Sequence, residues 1–259
     1  MTTKELIGLK LVLLTALGVG GATLLGAILG FFFRNISHKF SDIVLSFAAG
    51  VMLCAAVTGL IMPSLEHEGS APLLVTVAGV MCGAVFLNVL DKLVPHLHRL
   101  AGTDQEAHPE SSAKLNKVLL FVLAIAIHNL PEGIAAGVGF GSGDNAQAFT
   151  IAAGIALQNI PEGVVIIGPM LAAGMSPKKT FFCAAGTGVI EVFGTLLGYF
   201  AVSLSSAILP FALAFAGGTM LYVISDEMIP ETHHEETRGA TYSLLLGFCL
   251  MLAMDFFLG

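Results

Sequence analysis

The chain reads as an all-α integral membrane protein with eight transmembrane helices, and three observations carry that reading. Of its 259 residues, 56% are apolar and only 11% charged, whereas a soluble domain usually devotes about a quarter of its residues to charge. Nearly uncharged apolar stretches, each long enough to cross about 30 Å of hydrocarbon, recur from end to end. The basic residues also sort by loop, as a multi-span topology requires. With 11 Lys and Arg against 18 Asp and Glu, the net charge is -7, which offers no basic surface to a nucleic acid. Composition thus excludes a soluble enzyme, a disordered chain and a nucleic-acid binder.

Apolar runs and their breakers place the spans near 6–33, 41–63, 71–94, 116–139, 147–172, 178–203, 208–229 and 240–258. Helices are expected because backbone groups in lipid must be satisfied within the segment. A transmembrane barrel would show alternating segments of about ten residues, and these runs are too continuous for that. The first span is predicted to be retained: Leu11 to Phe33 is too long for a signal core, and Arg34 and Lys39 follow it like a stop-transfer flank. Gly50/Cys54 in span two and Gly194/Gly198 in span six are small-residue pairs suited to close helix contact. Cys54, Cys82, Cys183 and Cys249 each lie in an apolar run with no close CxxC pair, so they read as buried small hydrophobes. The longest loop, about 95–115, holds His96, His98 and His108 with Asp104, Glu106 and Glu110. Those side chains are either ordinary loop residues or a weak metal-holding cluster. The loop is too short for a second domain, so residues 1–259 form a single transmembrane domain.

Orientation follows from charge. Alternation places Arg34, Lys39, Lys92, Arg99, Lys114, Lys117, Lys178, Lys179 and Arg238 on one side and only Lys4 and Lys10 on the other. The positive-inside rule makes the first side cytoplasmic and puts both termini outside.

The strongest signal is a repeat. Ile127-His128-Asn129-Leu130-Pro131-Glu132-Gly133 in span four recurs thirty residues later as Leu157-Gln158-Asn159-Ile160-Pro161-Glu162-Gly163 in span five. The two spans run antiparallel, so the copies are expected to face each other across a pseudo-twofold axis in the membrane plane, where transporters place their binding sites. The spacing puts His128 with Glu132, and Gln158 with Glu162, on one helix face each. Pro131 and Pro161 cannot bond back to the carbonyls of Ile127 and Leu157, so each is expected to free an oxygen and kink its helix. Gly133 and Gly163 would admit a neighbouring backbone.

His128, Gln158 and Glu191 lie roughly 18 Å into their spans at 1.5 Å per residue, with Met52 at similar depth in span two. Glu132, Glu162 and Glu191 have no lysine or arginine at that level, and an unpaired buried carboxylate is expensive. The counter-charge must be protons or bound cations. With His128, Gln158 and the Met52 thioether they form a mixed nitrogen, oxygen and sulfur set, which suits zinc, iron(II) or cadmium better than calcium or magnesium. The two motif glutamates can bridge a pair of ions, with Asn129 and Asn159 completing the second site; alternatively the asparagines cap the carbonyls freed by the prolines. Met52 is either a ligand or a core filler.

HNLPEG in span four, QNIPEG in span five and TGVIEVFG in span six resemble the motif helices of the ZIP (Zrt/Irt-like) metal transporters, in particular the bacterial GufA-type branch, and the resemblance covers nearly the whole chain. It implies a 3+2+3 arrangement in which the motif helices lie between two inverted three-helix units. It implies a binuclear centre with His128, Glu132, Gln158, Glu162 and Met52 at one ion and Asn129, Glu132, Asn159, Glu162 and Glu191 at the other. Where relatives can carry Asp in that second site this chain has Asn159, one carboxylate fewer, and Val192 follows Glu191 where relatives often have proline. By the same likeness Glu66 and Asp255 would attract incoming ions, and Asp42, Asp91, Asp226, Glu227, His96, His98, His233 and His234 would serve their exit. Acidic residues at both mouths suit a cation path. The implied activity is transport of Zn2+, with Cd2+, Fe2+ or Mn2+ as further divalent metal ions, into the cytoplasm. The implied setting is the plasma membrane, the inner membrane in a Gram-negative cell, as a homodimer in the lipid bilayer.

Two rival readings fit less well. A membrane-embedded zinc hydrolase would want HExxH or several deep histidines, and this chain has one deep histidine. A proton-coupled carrier of an organic solute would explain the glutamates as proton relays, but not the matched positions of His128 and Gln158.

Overall fold

The computed structural model describes residues 3–32, 37–69, 71–93, 126–140, 145–172, 174–233 and 238–258. These residues are helical throughout, apart from short connections, and no strand occurs among them. In chain order, α1 is Thr3–Phe32. α2 starts as His38–Cys54, widens into π-helical turns over Ala55–Ile61 and ends as Met62–Glu66. α3 is Pro72–Leu93, α4 covers 126–140, α5 is Asn145–Ala172 and α6 is Pro177–Leu204. α7 starts as Leu209–Val223, widens over Ile224–Met228 and ends as Ile229–Thr232. α8 is Arg238–Leu258.

Seven of these helices are long and apolar enough to cross a membrane, which makes the chain a multi-pass membrane protein. The eighth, α4, is described over 126–140 only, so 116–125 of the expected fourth span and the 95–115 loop with its histidines lie outside the described residues. Local chemistry sets several starts. Ser37 Oγ accepts from the Phe40 N–H at 3.3 Å, and Ser176 Oγ accepts from the Lys179 N–H at 3.4 Å. Each serine thereby satisfies a donor that the first helical turn leaves open, and Pro177 follows Ser176 where proline's missing N–H costs nothing.

The prolines act differently from the sequence expectation. α5 continues as an unbroken helix past Pro161, and α4 past Pro131. The departures from α geometry lie instead in α2 and α7, each just before a proline. The Met62 N–H reaches Val57 O, five residues back, ahead of Pro63; the Ile229 N–H reaches Ile224 O, also five back, ahead of Pro230. An extra residue in the turn accommodates the missing donor, as a π-bulge does.

Helices pack pairwise through glycine. α1 lies against α5 and α6, α3 against α7, and α2 against α8 and α5. A Cβ added to Gly50 would stand 1.9 Å from Leu244 O, and one on Gly247 2.1 Å from Phe47 O, so α2 and α8 touch backbone to backbone. Gly83 and Gly218 do the same for α3 and α7, where added Cβ atoms would meet Phe215 O at 2.1 Å and Val80 O at 2.2 Å. In lipid, close approach of this kind replaces the hydrophobic drive that holds soluble helices together. Large apolar side chains point outward instead, notably Leu74, Met81 and Val85 on α3 and Phe256 and Phe257 on α8. All four cysteines are free thiols; Cys54 is buried, but Cys82 and Cys249 are exposed on the outward face, contrary to the expectation that all would be buried.

Candidate metal centre

Of the residues predicted to converge, Glu132, Gln158, Asn159 and Glu191 meet inside the helix bundle, with Glu162 and His128 near enough to act on the cluster's charge. Gln158 and Asn159 fall midway along α5, and Glu191 falls midway along α6. Met52, Asn129, Glu132, Gln158, Asn159 and Glu191 are all buried, each no more than 2% exposed, and Glu162 is half-buried. The two motif copies meet directly: Gln158 Nε2 of α5 donates to Glu132 Oε1 of α4 at 2.7 Å. The neighbouring asparagine turns the other way, and Asn159 Nδ2 donates to Glu191 Oε1 at 2.6 Å and, more weakly, to Val19 O at 3.4 Å. The asparagine thus bonds Glu191 and a carbonyl of α1 and does not cap the oxygen freed by Pro161, which answers one of the alternatives left by the sequence.

Glycine explains how the helices come so close. A Cβ on Gly133 would lie 2.3 Å from Glu191 O, and one on Gly163 would lie 2.5 Å from Thr23 O. Each motif glycine therefore lets its helix rest on the backbone of a neighbour, α4 on α6 and α5 on α1. Gly194 and Gly198 return the contact from α6 to Leu130 O and Ile134 O.

Hydrogen bonding within this cluster is incomplete. Among the described residues, eight buried side-chain polar atoms lack a hydrogen-bond partner, and five belong to the motif: both amide atoms of Asn129, Glu132 Oε2, Gln158 Oε1 and Asn159 Oδ1. The Glu132 carboxyl group also meets that of Glu191, a second acid that can bond it only if one of the two carries a proton. Buried polar atoms are nearly always paired, so such a concentration at one level needs a reason. Oxygen atoms of Glu132, Gln158, Asn129 and Asn159 are suitable donors to a cation. Glu132, Glu162 and Glu191 are near enough to act on one another's charge, and Glu162 also feels His128 and Glu227. No group of three His, Cys, Asp or Glu forms a ready metal cage among the described residues, and amide nitrogens of Gln158 and Asn159 hold one oxygen each of Glu132 and Glu191. A half-turn of the Gln158 or Asn159 amide exchanges its nitrogen for its oxygen, which converts that same contact from donor to metal ligand.

Other predicted residues fall out as follows. His128 Nε2 lies 2.8 Å from Glu227 Oε2, both partly buried, so Glu227 of the α7 bulge touches the centre itself. Met52 packs in the main apolar cluster with Ala48, Ala49 and Ile155. Glu66 and Asp226 are exposed, and Asp42 and Asp255 are half-buried near helix ends. His233 has both ring nitrogens engaged: Nδ1 lies 2.9 Å from Ile229 O and 3.0 Å from Thr232 Oγ1, and Nε2 lies 3.3 Å from Thr241 Oγ1. Its contacts tie the end of α7 to the start of α8. Asp91 is in the last turn of α3, and His96, His98 and His234 lie outside the described residues.

The sequence reading passed over Thr23. Its Oγ1 donates to Glu191 Oε2 at 2.7 Å, and the side chain is 2% exposed. A faint signal exists: Gly20 and Gly188 touch where α1 crosses α6, and Thr23 and Glu191 each follow their glycine by three residues.

A family model described as the ZIP zinc transporter matches residues 98–255. The chain belongs to the ZIP zinc transporter family. The zinc transporter GufA of Myxococcus xanthus is 46% identical over 178 residues, 68% of each chain. The zinc transporter ZIPB of Bordetella bronchiseptica is 38% identical over 247 residues, 92% of this chain and 78% of its own. The zinc transporter ZupT of Chlorobaculum parvum is 31% identical over 271 residues, 100% of this chain and 99% of its own. These ZIP relatives are transporters rather than enzymes, and the GufA-type resemblance of the motif helices stands. The matched stretch of this ZIP protein contains both motif copies and Glu191, whereas Thr23 and Met52 precede it.

Proposed function

We propose that this ZIP protein carries zinc across the membrane into the cytoplasm, with iron(II), cadmium and manganese as further cargoes, through a binuclear site near mid-membrane. The observation that carries the reading is the cluster of buried, unpartnered donor atoms on Asn129, Glu132, Gln158 and Asn159. His128, Glu132, Gln158, Glu162 and Met52 hold one ion in this reading. Asn129, Glu132, Asn159, Glu162 and Glu191 hold the other, with Glu132 and Glu162 bridging. Zinc accepts such nitrogen and oxygen donors readily. Being named for zinc, the relatives favour that ion as principal cargo.

Alternating access fits the paired architecture. The glycine contacts between α2 and α8 are echoed between α3 and α7, and those between α4 and α6 between α5 and α1. The π-bulges of α2 and α7 form a further matched pair. Such pairing supports the 3+2+3 arrangement of two inverted units around α4 and α5. Charge sorting supports termini outside the cytoplasm of a plasma membrane or bacterial inner membrane, and the family likeness supports a homodimer. Glu66 and Asp255 at the outer ends, and Asp42, Asp91, Asp226 and Glu227 towards the inner ends, give a cation an acidic path in and out. His96, His98, His233 and His234 complete the exit in this reading.

Uptake of radiolabelled zinc into proteoliposomes tests the proposal. Replacing both Glu132 and Glu162 with alanine is expected to abolish uptake, and unchanged uptake would overturn it.

A further inference from the structure

We infer that Thr23 is a positioning residue for the second metal ion, acting through Glu191. The inference rests on the proposed binuclear centre and adds to it a residue from α1. Four observations support it. Thr23 and Glu191 are both buried, and their 2.7 Å hydrogen bond joins residues 168 positions apart in the sequence. The hydroxyl takes Oε2, so the carboxylate has a fixed pivot and presents Oε1 to Asn159 on α5. The Thr23 carbonyl is also the surface on which Gly163, the last residue of the second motif copy, rests. Thr23 therefore sets the position of α5 through its backbone and the direction of Glu191 through its side chain. Finally, Asn159 Oδ1 has no partner, so one rotation of that amide turns its oxygen towards Glu191 Oε1, the atom its nitrogen now holds, and the two oxygens can then face a common ion.

A hydroxyl of this kind does for a carboxylate ligand what a carboxylate does for a metal-bound histidine: it fixes which atom faces the metal. Charge makes the anchor more important here. With Asn159 in place of an acid, Glu191 supplies a full carboxylate that the second ion shares with no other site, since Glu132 and Glu162 bridge. A mispointed Glu191 leaves that ion with the bridging pair and neutral amides. Thr23 thus governs the second ion and not the first, whose other ligands are on α2, α4 and α5.

Zinc stoichiometry and affinity, measured on the purified full-length protein by calorimetry and elemental analysis, test this for the unaltered chain, Thr23→Val, Thr23→Ala, Thr23→Ser and Glu191→Gln. The unaltered chain is expected to bind two ions. Thr23→Val and Thr23→Ala should weaken the second by about tenfold or more, the scale for loss of a group that orients a metal ligand, and should leave the first unchanged. Thr23→Ser keeps the hydroxyl and should restore the second ion, whereas Glu191→Gln should lose it. If Thr23→Val does not fold, Thr23→Ala and Thr23→Ser alone carry the comparison, since both only remove atoms. Two equally tight ions in the alanine variant would overturn the inference, as would equal loss in alanine and serine variants. A single ion in the unaltered chain overturns it too while leaving the proposed transport intact, and no bound zinc at all would sink both.

Discussion

Gln158 Nε2 of one motif copy donates to Glu132 Oε1 of the other at 2.7 Å, at the centre of the bundle. That contact makes the repeat a single unit, because the residue that matches His128 by sequence is bonded to the glutamate that follows His128 by one turn. Its Oε1 is unpartnered on the other side of the same amide. Replacing Gln158 with leucine, which keeps the bulk and removes both polar atoms, is expected to cut zinc uptake by at least tenfold. Gln158→His, which places in α5 the residue that α4 already uses, should retain uptake within a few-fold. Initial rates in proteoliposomes measure both; equal loss in the two variants would show that the position needs the amide itself.

His128 and Glu227 are expected to behave as a unit. Their 2.8 Å contact links α4 to the α7 bulge, and residues in direct contact deviate from additivity by about 0.5–3 kcal/mol. His128→Ala and Glu227→Ala should each slow zinc uptake, and the double variant should be no slower than His128→Ala alone. Independent, multiplying losses would argue that Glu227 acts at the exit and not at the centre.

Gly133 and Gly186 separate close contact from mere helix position. A Cβ on Gly133 would meet Glu191 O at 2.3 Å, whereas nothing lies within 4 Å of one on Gly186. Gly133→Ala should lower thermal stability in detergent by an amount corresponding to about 1–3 kcal/mol of overpacking, and should displace Glu191. Gly186→Ala should be neutral or slightly stabilising, because alanine favours helix by up to about 1 kcal/mol over glycine. Thermal unfolding of the two variants decides it.

Asn159→Asp adds a second carboxylate beside Glu191, with which the present amide makes a 2.6 Å hydrogen bond. Without metal, a second acid replaces the amide donor beside Glu191, so the pair must either repel or take up a proton, and the variant should unfold at lower temperature. With zinc the added charge becomes a ligand, so the stabilisation on adding zinc should be larger than in the unaltered chain. Unfolding temperatures with and without zinc give both signs in one experiment; an unchanged zinc response would place Asn159 outside the centre.

Pro63 and Pro230 are expected to matter for the rate of transport. Each follows a π-bulge, in α2 and in α7, helices that the proposed inverted arrangement would pair. Alanine at both positions restores the missing N–H donors and should let the turns tighten to α geometry. Metal stoichiometry should then persist while the maximal uptake rate falls several-fold. An unchanged rate would mean that the bulges have no part in transport.

The span pattern was legible because membrane physics leaves so little choice: seven of the eight predicted spans recur as membrane-length helices within a few residues at each end, and α4 is helical as far as it is described. The burial of Glu132, Glu191 and Gln158 was legible too, since an uncompensated carboxylate within an apolar span can only face the interior. The prolines misled, because the bond that a proline removes can be absorbed locally, and Pro161 sits in an unbroken helix while Pro63 and Pro230 follow the bulges.

By itself, then, the sequence determined the membrane fold class, seven of the spans and most residues of the buried polar cluster, all of which follow from polarity and helical period along one chain. Only the tertiary structure decided which atoms meet: Asn159 with Glu191, Thr23 with the same carboxylate across 168 positions, and Glu227 with His128. Those pairings depend on how far glycine lets four backbones approach and at what level they cross. That is a property of packed helices in three dimensions, and no spacing within a single helix encodes it.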